Sequence, residues 1–176
     1  MDAVHFVWET GFLTCLWCFA RIFVRTSSGR KRYNVLGALN AVTKKLLTVV
    51  NDSYINSQSV GELLQKLRDA HGDEKITVVL DNAAYQRCKF VKQIAAELDI
   101  TLLFLPPYSP NLNLIERLWK FVKKRALNNR YYDTFGAFQT GIATCLANLD
   151  TQHKSEIASL MTLRFQTFKT DHIVAG

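Results

Sequence analysis

Proline is almost absent from this chain. Among its 176 residues there are three, and all of them, Pro106, Pro107 and Pro110, fall inside one short stretch. That loop is stiff and cannot continue a strand, because proline fixes φ and withholds a backbone donor. Cysteine is scarce too. Cys15, Cys18, Cys88 and Cys145 are too few and too irregular for a disulfide framework, which points to a reducing compartment. Cys15 and Cys18 form a lone CxxC with no second pair to complete a zinc site. In an extended segment, residues three apart face opposite ways, so the cysteines read as small buried apolar groups. A long hydrophobic run is missing: the stretch from Phe12 to Val24 is broken by Arg21 and falls short of the roughly 20 residues a membrane span needs. Asp2 and Glu9 stand before it, where a secretory signal carries positive charge. A soluble intracellular protein is the expectation, with no membrane partner and no small-molecule cofactor.

Acidic residues are also in deficit, 15 against 22 lysines and arginines, for a net charge of +7 and a pI near 9.3. That balance fits a polyanionic partner. There is no internal repeat, low-complexity tract or linker, so residues 1–176 read as one domain. At 48% hydrophobic the chain has enough apolar material for a sizeable core.

Residues 2 to 8 (DAVHFVW) predict a strand. Residues 12 to 25 are aromatic and β-branched on both alternating faces, which predicts an extended segment covered on two sides. Residues 33 to 41 and 46 to 50 predict a hairpin. A helix follows over 57 to 70, with Val60, Leu63, Leu64 and Leu67 on one stripe and Ser59 and Glu62 at capping-box spacing. The run 76 to 81 (ITVVLD) is a buried strand ending on a carboxylate, followed by a helix over 84 to 98 and a strand over 101 to 105. Beyond the proline loop, a helix over 112 to 127 buries Ile115, Leu118, Trp119, Val122 and Ala126. Another, over 134 to 149, buries Phe135, Phe138, Ile142, Cys145 and Leu149. A short helix and tail complete residues 150 to 176. Strands alternating with helices in the later half imply parallel crossovers, so the fold class is α/β with a mixed five-stranded sheet flanked by helices.

Two acids stand out on these elements. Asp81 ends a strand, Glu116 lies in an early helical turn, and thirty-four residues separate them. Asp2 is a third, on the first strand. Carboxylates on strand ends and a helix face are the hard oxygen donors that a divalent cation takes. Each also has an ordinary role: Asp81 as a turn residue, Glu116 in an i,i+4 ion pair with Lys120.

The segments VLDNAAYQ and LPPYSPNLNLIERLWKFVKK resemble the catalytic core of mariner-type transposases, especially the bacterial insertion-sequence branch. The resemblance runs from Asp2 to about Phe168. It implies a ribonuclease H-like fold and an Asp, Asp, Glu triad, matched here by Asp2, Asp81 and Glu116 as catalytic residues and metal ligands. Leu114 replaces a proline found in many relatives. Relatives also carry an amino-terminal helix-turn-helix region and further residues of the first strand, and the resemblance implies that this chain lacks both. Three bare carboxylates that converge repel, and at least one is driven towards its protonated form. Two Mg²⁺ ions about 3.5–4 Å apart, or Mn²⁺ in their place, relieve that repulsion and supply phosphodiester chemistry.

The implied partner is double-stranded DNA, both transposon end and target, in the bacterial cytoplasm near the nucleoid. Candidate phosphate contacts are Lys120, Lys123, Lys124 and Arg125 on the helix and Arg30, Lys31 and Arg32 in a loop. Tyr108 and Ser109, on the stiff loop beside Glu116, either touch the DNA backbone or a flipped base or serve as turn residues. Asn82 either contacts substrate or caps the next helix. His5 points away from Asp2 by strand alternation and is no ligand. Segment 12–25 either packs on the sheet or clamps a second copy of the chain, making a homodimer. Three functions follow: a transposase domain that cleaves and joins DNA strands, an inactive remnant that binds DNA or itself, and a free-standing nuclease or resolvase of the same fold.

Overall fold

The computed structural model describes residues 1–8, 19, 31–106, 109 and 112–165. Apart from residue 19, the expected extended segment over 12–25, with Cys15 and Cys18, lies outside the described residues. So do Arg30 and Tyr108.

Strands β1 (Asp2–Trp8), β2 (Lys31–Leu39) and β3 (Leu46–Asn51) form an antiparallel meander. Its register sets Asp2 opposite Gly37, Trp8 opposite Lys31 and Asn34 opposite Asn51. β2 is the middle strand, and every residue from Tyr33 to Ala38 is buried. The β2–β3 turn closes because the Asn40 carbonyl side chain accepts from the Val42 and Thr43 amides, both at 2.9 Å.

Helix α1 (Ser57–His71) leads into β4 (Ile76–Leu80), α2 (Lys89–Glu97) and β5 (Ile100–Phe104). β4 and β5 pair in parallel, and α2 supplies the crossover that a parallel pair needs. Three helices follow: α3 (Leu114–Ala126), α4 (Phe135–Ala147) and α5 (Lys154–Leu160).

Among the described residues the expected five strands are present, but they divide into sheets of three and two rather than one. The reason is local. The two sheets meet where the Met1 nitrogen donates to Val79 O at 2.6 Å, and β4 stops one residue later at Leu80. Residues of β1 beyond that point therefore have no β4 residue beside them to form a ladder.

Strand alternation sorts the core into two layers. Leu36, Ala38 and Val49 face α1, α2, β4 and β5, in a cluster with Leu63, Leu64, Leu80 and Val91. Val4, Phe6, Tyr33 and Val35 face α3, α4 and α5, in a cluster with Ile115, Leu118, Trp119 and Ile142. The apolar stripes read from periodicity on α1, α3 and α4 are the buried ones, with Phe135 half-buried.

Two features of the helix N-termini differ from expectation. The α1 capping box is Asn56 with Ser59, three residues before the predicted pair: Ser59 N donates to Asn56 Oδ1 at 3.1 Å and Asn56 N to Ser59 Oγ at 3.5 Å. Helix α2 begins at Lys89 rather than at 84. The intervening residues spend their amides on turn bonds, with Gln86 N and Arg87 N donating to Ala83 O.

Candidate active site

Three acids from three elements lie within electrostatic reach of one another. Asp2 opens β1, and its even-numbered parity with Val4 and Phe6 turns it to the α3 side. Asp81 follows the last residue of β4. The Met1–Val79 bond sets β1 beside that strand end, so Asp2 and Asp81 are neighbours across the seam between the sheets. Glu116 is the third residue of α3, in its first turn, where the helix dipole favours a carboxylate.

The electrostatics report this convergence. Burial pushes the Asp2 carboxyl up to about 6, aided by the negative charges of Asp81 and Glu116 and opposed by the Ala3 amide. Burial also raises Glu116, with Lys120 pulling the other way and Asp81 pushing upward. Tyr85 is pushed up to about 12 by burial and then by Asp81, with Asp2 adding to it. Its phenol therefore belongs to the same neighbourhood, a residue that sequence reading passed over because no spacing rule marks it.

Two of the carboxylates also have a local partner. The Ala3 amide donates to Asp2 Oδ1 at 2.7 Å and the Ala83 amide to Asp81 Oδ1 at 3.3 Å. Among the described residues, no three groups of His, Cys, Asp and Glu stand close enough to hold one ion. The donor set nonetheless has the chemistry of a hard-cation site: oxygen ligands only, mutually repelling, and partly shielded from water.

A cleft of about 310 Å³ opens beside the acids, lined by Asp2, Ala3, Val4 and His5 on one wall and by Glu116, Trp119, Lys120 and Lys123 on the other. Lys120 and Lys123 thus share a wall with Glu116. Lys124 is exposed. Arg125 is turned elsewhere, ion-paired with Glu156 of α5 and lying over the Phe121 ring. Lys31 sits over the Phe135 ring at 5.6 Å. With Arg32 it lies at the Trp8 end of the sheet, about 20 Å along the strand from Asp2 at roughly 3.3 Å per residue. Asn82 does not cap α2, whose N-cap is Cys88; its amide donates to Leu105 O and ties the end of β4 to the end of β5. His5 is exposed and bonds Asn34 Oδ1 through Nδ1 at 2.6 Å.

The sequence profile of the DDE superfamily endonucleases matches residues 20–139. The chain belongs to that superfamily. By family it is a DDE superfamily endonuclease domain, and domains of this superfamily depend on divalent metal. The matched span holds Asp81 and Glu116; Asp2 precedes it. An uncharacterized protein, y4pE/y4sA of Sinorhizobium fredii, is 29% identical over 83 residues, covering 47% of this chain and 59% of the relative. The Mos1 strand transfer complex superposes with a TM-score of 0.60 at 13% identity, over 96% of this chain and 54% of that one. A Mos1 mariner paired-end complex with Mn gives 0.59 at 13% identity, covering 96% and 55%. The catalytic core domain of BIV integrase gives 0.51 at 15%, covering 70% and 77%. The chain thus spans between half and three-fifths of the length of Mos1 and of its curated relative. The structural likenesses, all at low identity, establish the ribonuclease H-like fold shared by transposase and integrase cores. Among the described residues, no helix is long and apolar enough to cross a membrane.

Proposed function

We propose that this domain cleaves a phosphodiester bond at a transposon end and joins the freed 3′-hydroxyl to target DNA, with Asp2, Asp81 and Glu116 as the ligands of two divalent cations. The observation that carries the reading is the cleft that Asp2 and Glu116 line together, with Asp81 at the end of β4 near enough for its charge to act on the half-buried Asp2. A fold gains nothing in stability from gathering like charges in a poorly solvated seam. Such a cluster makes sense where positive charge is to be received. Mg²⁺, or Mn²⁺ in its place, would supply an activated oxygen nucleophile and neutralise the leaving oxygen.

The chain's own side chains do the rest. The Met1–Val79 link and the Asn82–Leu105 bond fix the two strand ends that carry Asp2 and Asp81. The first turn of α3 presents Glu116 across the cleft. Lys120 and Lys123, on that wall, hold the DNA backbone by charge without reading sequence. Lys124, and Lys31 with Arg32 at the far end of the sheet, extend the basic track. Arg125, committed to Glu156, contributes least.

Membership in an endonuclease family favours turnover over an inactive remnant. The test is nicking of supercoiled DNA in Mg²⁺ or Mn²⁺ by the parent chain, Asp81→Ala and Glu116→Ala. Metal-dependent nicking that disappears in both variants is the expected result. Nicking that survives either substitution refutes the assignment, and DNA binding without nicking in either metal revives the remnant.

A further inference from the structure

Gly37 has no part in the acid cluster, yet it pairs directly with Asp2 across β1 and β2. A Cβ built on it would stand 2.7 Å and 2.8 Å from two ring carbons of Trp119 and 3.2 Å from Ile115 Cδ1. Real Cβ atoms do not approach ring carbons so closely, so the indole rests on bare backbone. Ile115 and Trp119 flank Glu116 in the first turns of α3. The helix that presents Glu116 is therefore seated on the residue beside Asp2. Glycine in a strand interior is costly unless another group must approach the backbone, and here that group is identified.

Trp119 is an odd choice for mere filling. It is 4% exposed, and its indole Nε1 is buried with no hydrogen-bond partner among the described residues. An orphaned buried donor carries a desolvation penalty that a purely apolar side chain avoids. What the indole supplies is reach, since its six-membered ring is the part that touches Gly37. The same residue lines the cleft with Asp2 and Glu116.

We infer that Gly37 and Trp119 are positioning residues that set the gap between β1 and α3, and so the separation of Asp2 from Glu116. This rests on the proposed three-carboxylate site. Gly37→Ala lifts the first turn of α3 and moves Glu116 away from Asp2. Trp119→Phe removes the ring carbons that the new methyl would strike, so the double variant restores the seat.

The test uses the whole chain, measuring nicking rate, the Mg²⁺ concentration for half-maximal rate, and melting temperature. Gly61→Ala is the control. It adds the same methyl on the opposite face of the domain, where a Cβ meets Ile94 Cδ1 at 2.8 Å, away from the acids. We expect Gly37→Ala to lose nicking by about 10²-fold, the scale of an ångström-sized misplacement, and to need several-fold more Mg²⁺. The double variant should recover most of both. Gly61→Ala should leave nicking and the Mg²⁺ requirement unchanged, since Ile94 Cδ1 is the end of a flexible side chain that can move aside and alanine is the better helix former. Equal losses in Gly37→Ala and Gly61→Ala, parental behaviour of Gly37→Ala, or a folded double variant no better than Gly37→Ala would each overturn the inference. If Gly37→Ala alone does not fold, a folded and cleaving double variant supports it, and a folded silent one refutes it. Crystal structures of parent and Gly37→Ala read the Asp2–Glu116 gap directly, and an unchanged gap overturns the inference whatever the activity. Nicking retained by Asp81→Ala would instead retire the carboxylate assignment and leave that gap to decide the positioning role.

Discussion

The two faces of the central strand β2 are packed for different ends. On one face, Leu36 and Ala38 meet α1, α2, β4 and β5 in a closed apolar layer. On the other, Tyr33, Val35 and Gly37 meet α3 and its neighbours. That layer is apolar at its centre but carries an indole nitrogen with no partner among the described residues, a glycine seat and, at its margin, three acids that repel one another. The first face is filled with fully buried apolar side chains, as the rules for a stable core ask. The second breaks several of them within a few residues of one another, and departures of that kind gather where a protein has chemistry to do.

The contrast can be broken from either side. The largest effect expected is on the acid margin: Asp81→Ala or Glu116→Ala should lower nicking on the order of 10³-fold, several kcal/mol of transition-state stabilisation, with an unchanged circular dichroism spectrum. Next comes the closed face. Leu64 is fully buried, and Leu64→Ala should cost about 2–5 kcal/mol in urea unfolding while leaving the Mg²⁺ requirement of the folded protein unchanged. A shifted requirement would mean that the two faces are coupled.

A smaller effect, of opposite sign, separates function from stability. The Asp2 carboxyl is raised from 3.8 to about 6 in the folded chain. The folded state thus binds a proton more tightly than the unfolded one, and its stabilising contribution is complete below the ordinary value. That contribution is lost as pH rises through about 6. Without metal, unfolding free energy should fall between about pH 4 and 6, with Glu116 acting in the same direction. Asp2→Asn should flatten that slope and stabilise the metal-free chain at pH 7 by about 1–3 kcal/mol, while abolishing nicking. Saturating Mg²⁺ should flatten the parent's slope in the same way; a slope insensitive to Mg²⁺ would speak against cation binding there. The smallest effect is Thr134→Ala. Thr134 Oγ1 accepts from Ala137 N at 3.1 Å at the head of α4. Its loss should cost about 1 kcal/mol by thermal melting without touching cleavage, although α4 packs on the same face as α3.

Much of this was legible in the residues. Stripes at helical spacing marked the buried faces of α1, α3 and α4, because side chains three and four apart share a surface whatever surrounds the helix. Asp81 and Glu116 were marked by their motifs, and the repulsion that lifts Asp2 follows from gathering acids at all. Other features were out of reach for particular reasons. The α1 capping box lies three residues before the predicted pair, since Asn56 and Ser59 serve as well as Ser59 and Glu62. The start of α2 was obscured because residues 83–88 have helical composition but close turns instead. Arg125 looked like one more free cation until Glu156, 31 positions on, came up beside it. Tyr85 gained its place by folding alone.

Gly37 makes the division plain. The order of strands and helices, the apolar faces and the identity of the acids follow from local pattern, because each depends on neighbours within a turn or a strand. The meeting of Asp2, Asp81 and Glu116, the split of five strands into two sheets and the seat of Trp119 on Gly37 depend on contacts between segments far apart in the chain. Those contacts are set by volume and register, which a string of residues does not carry until it is packed.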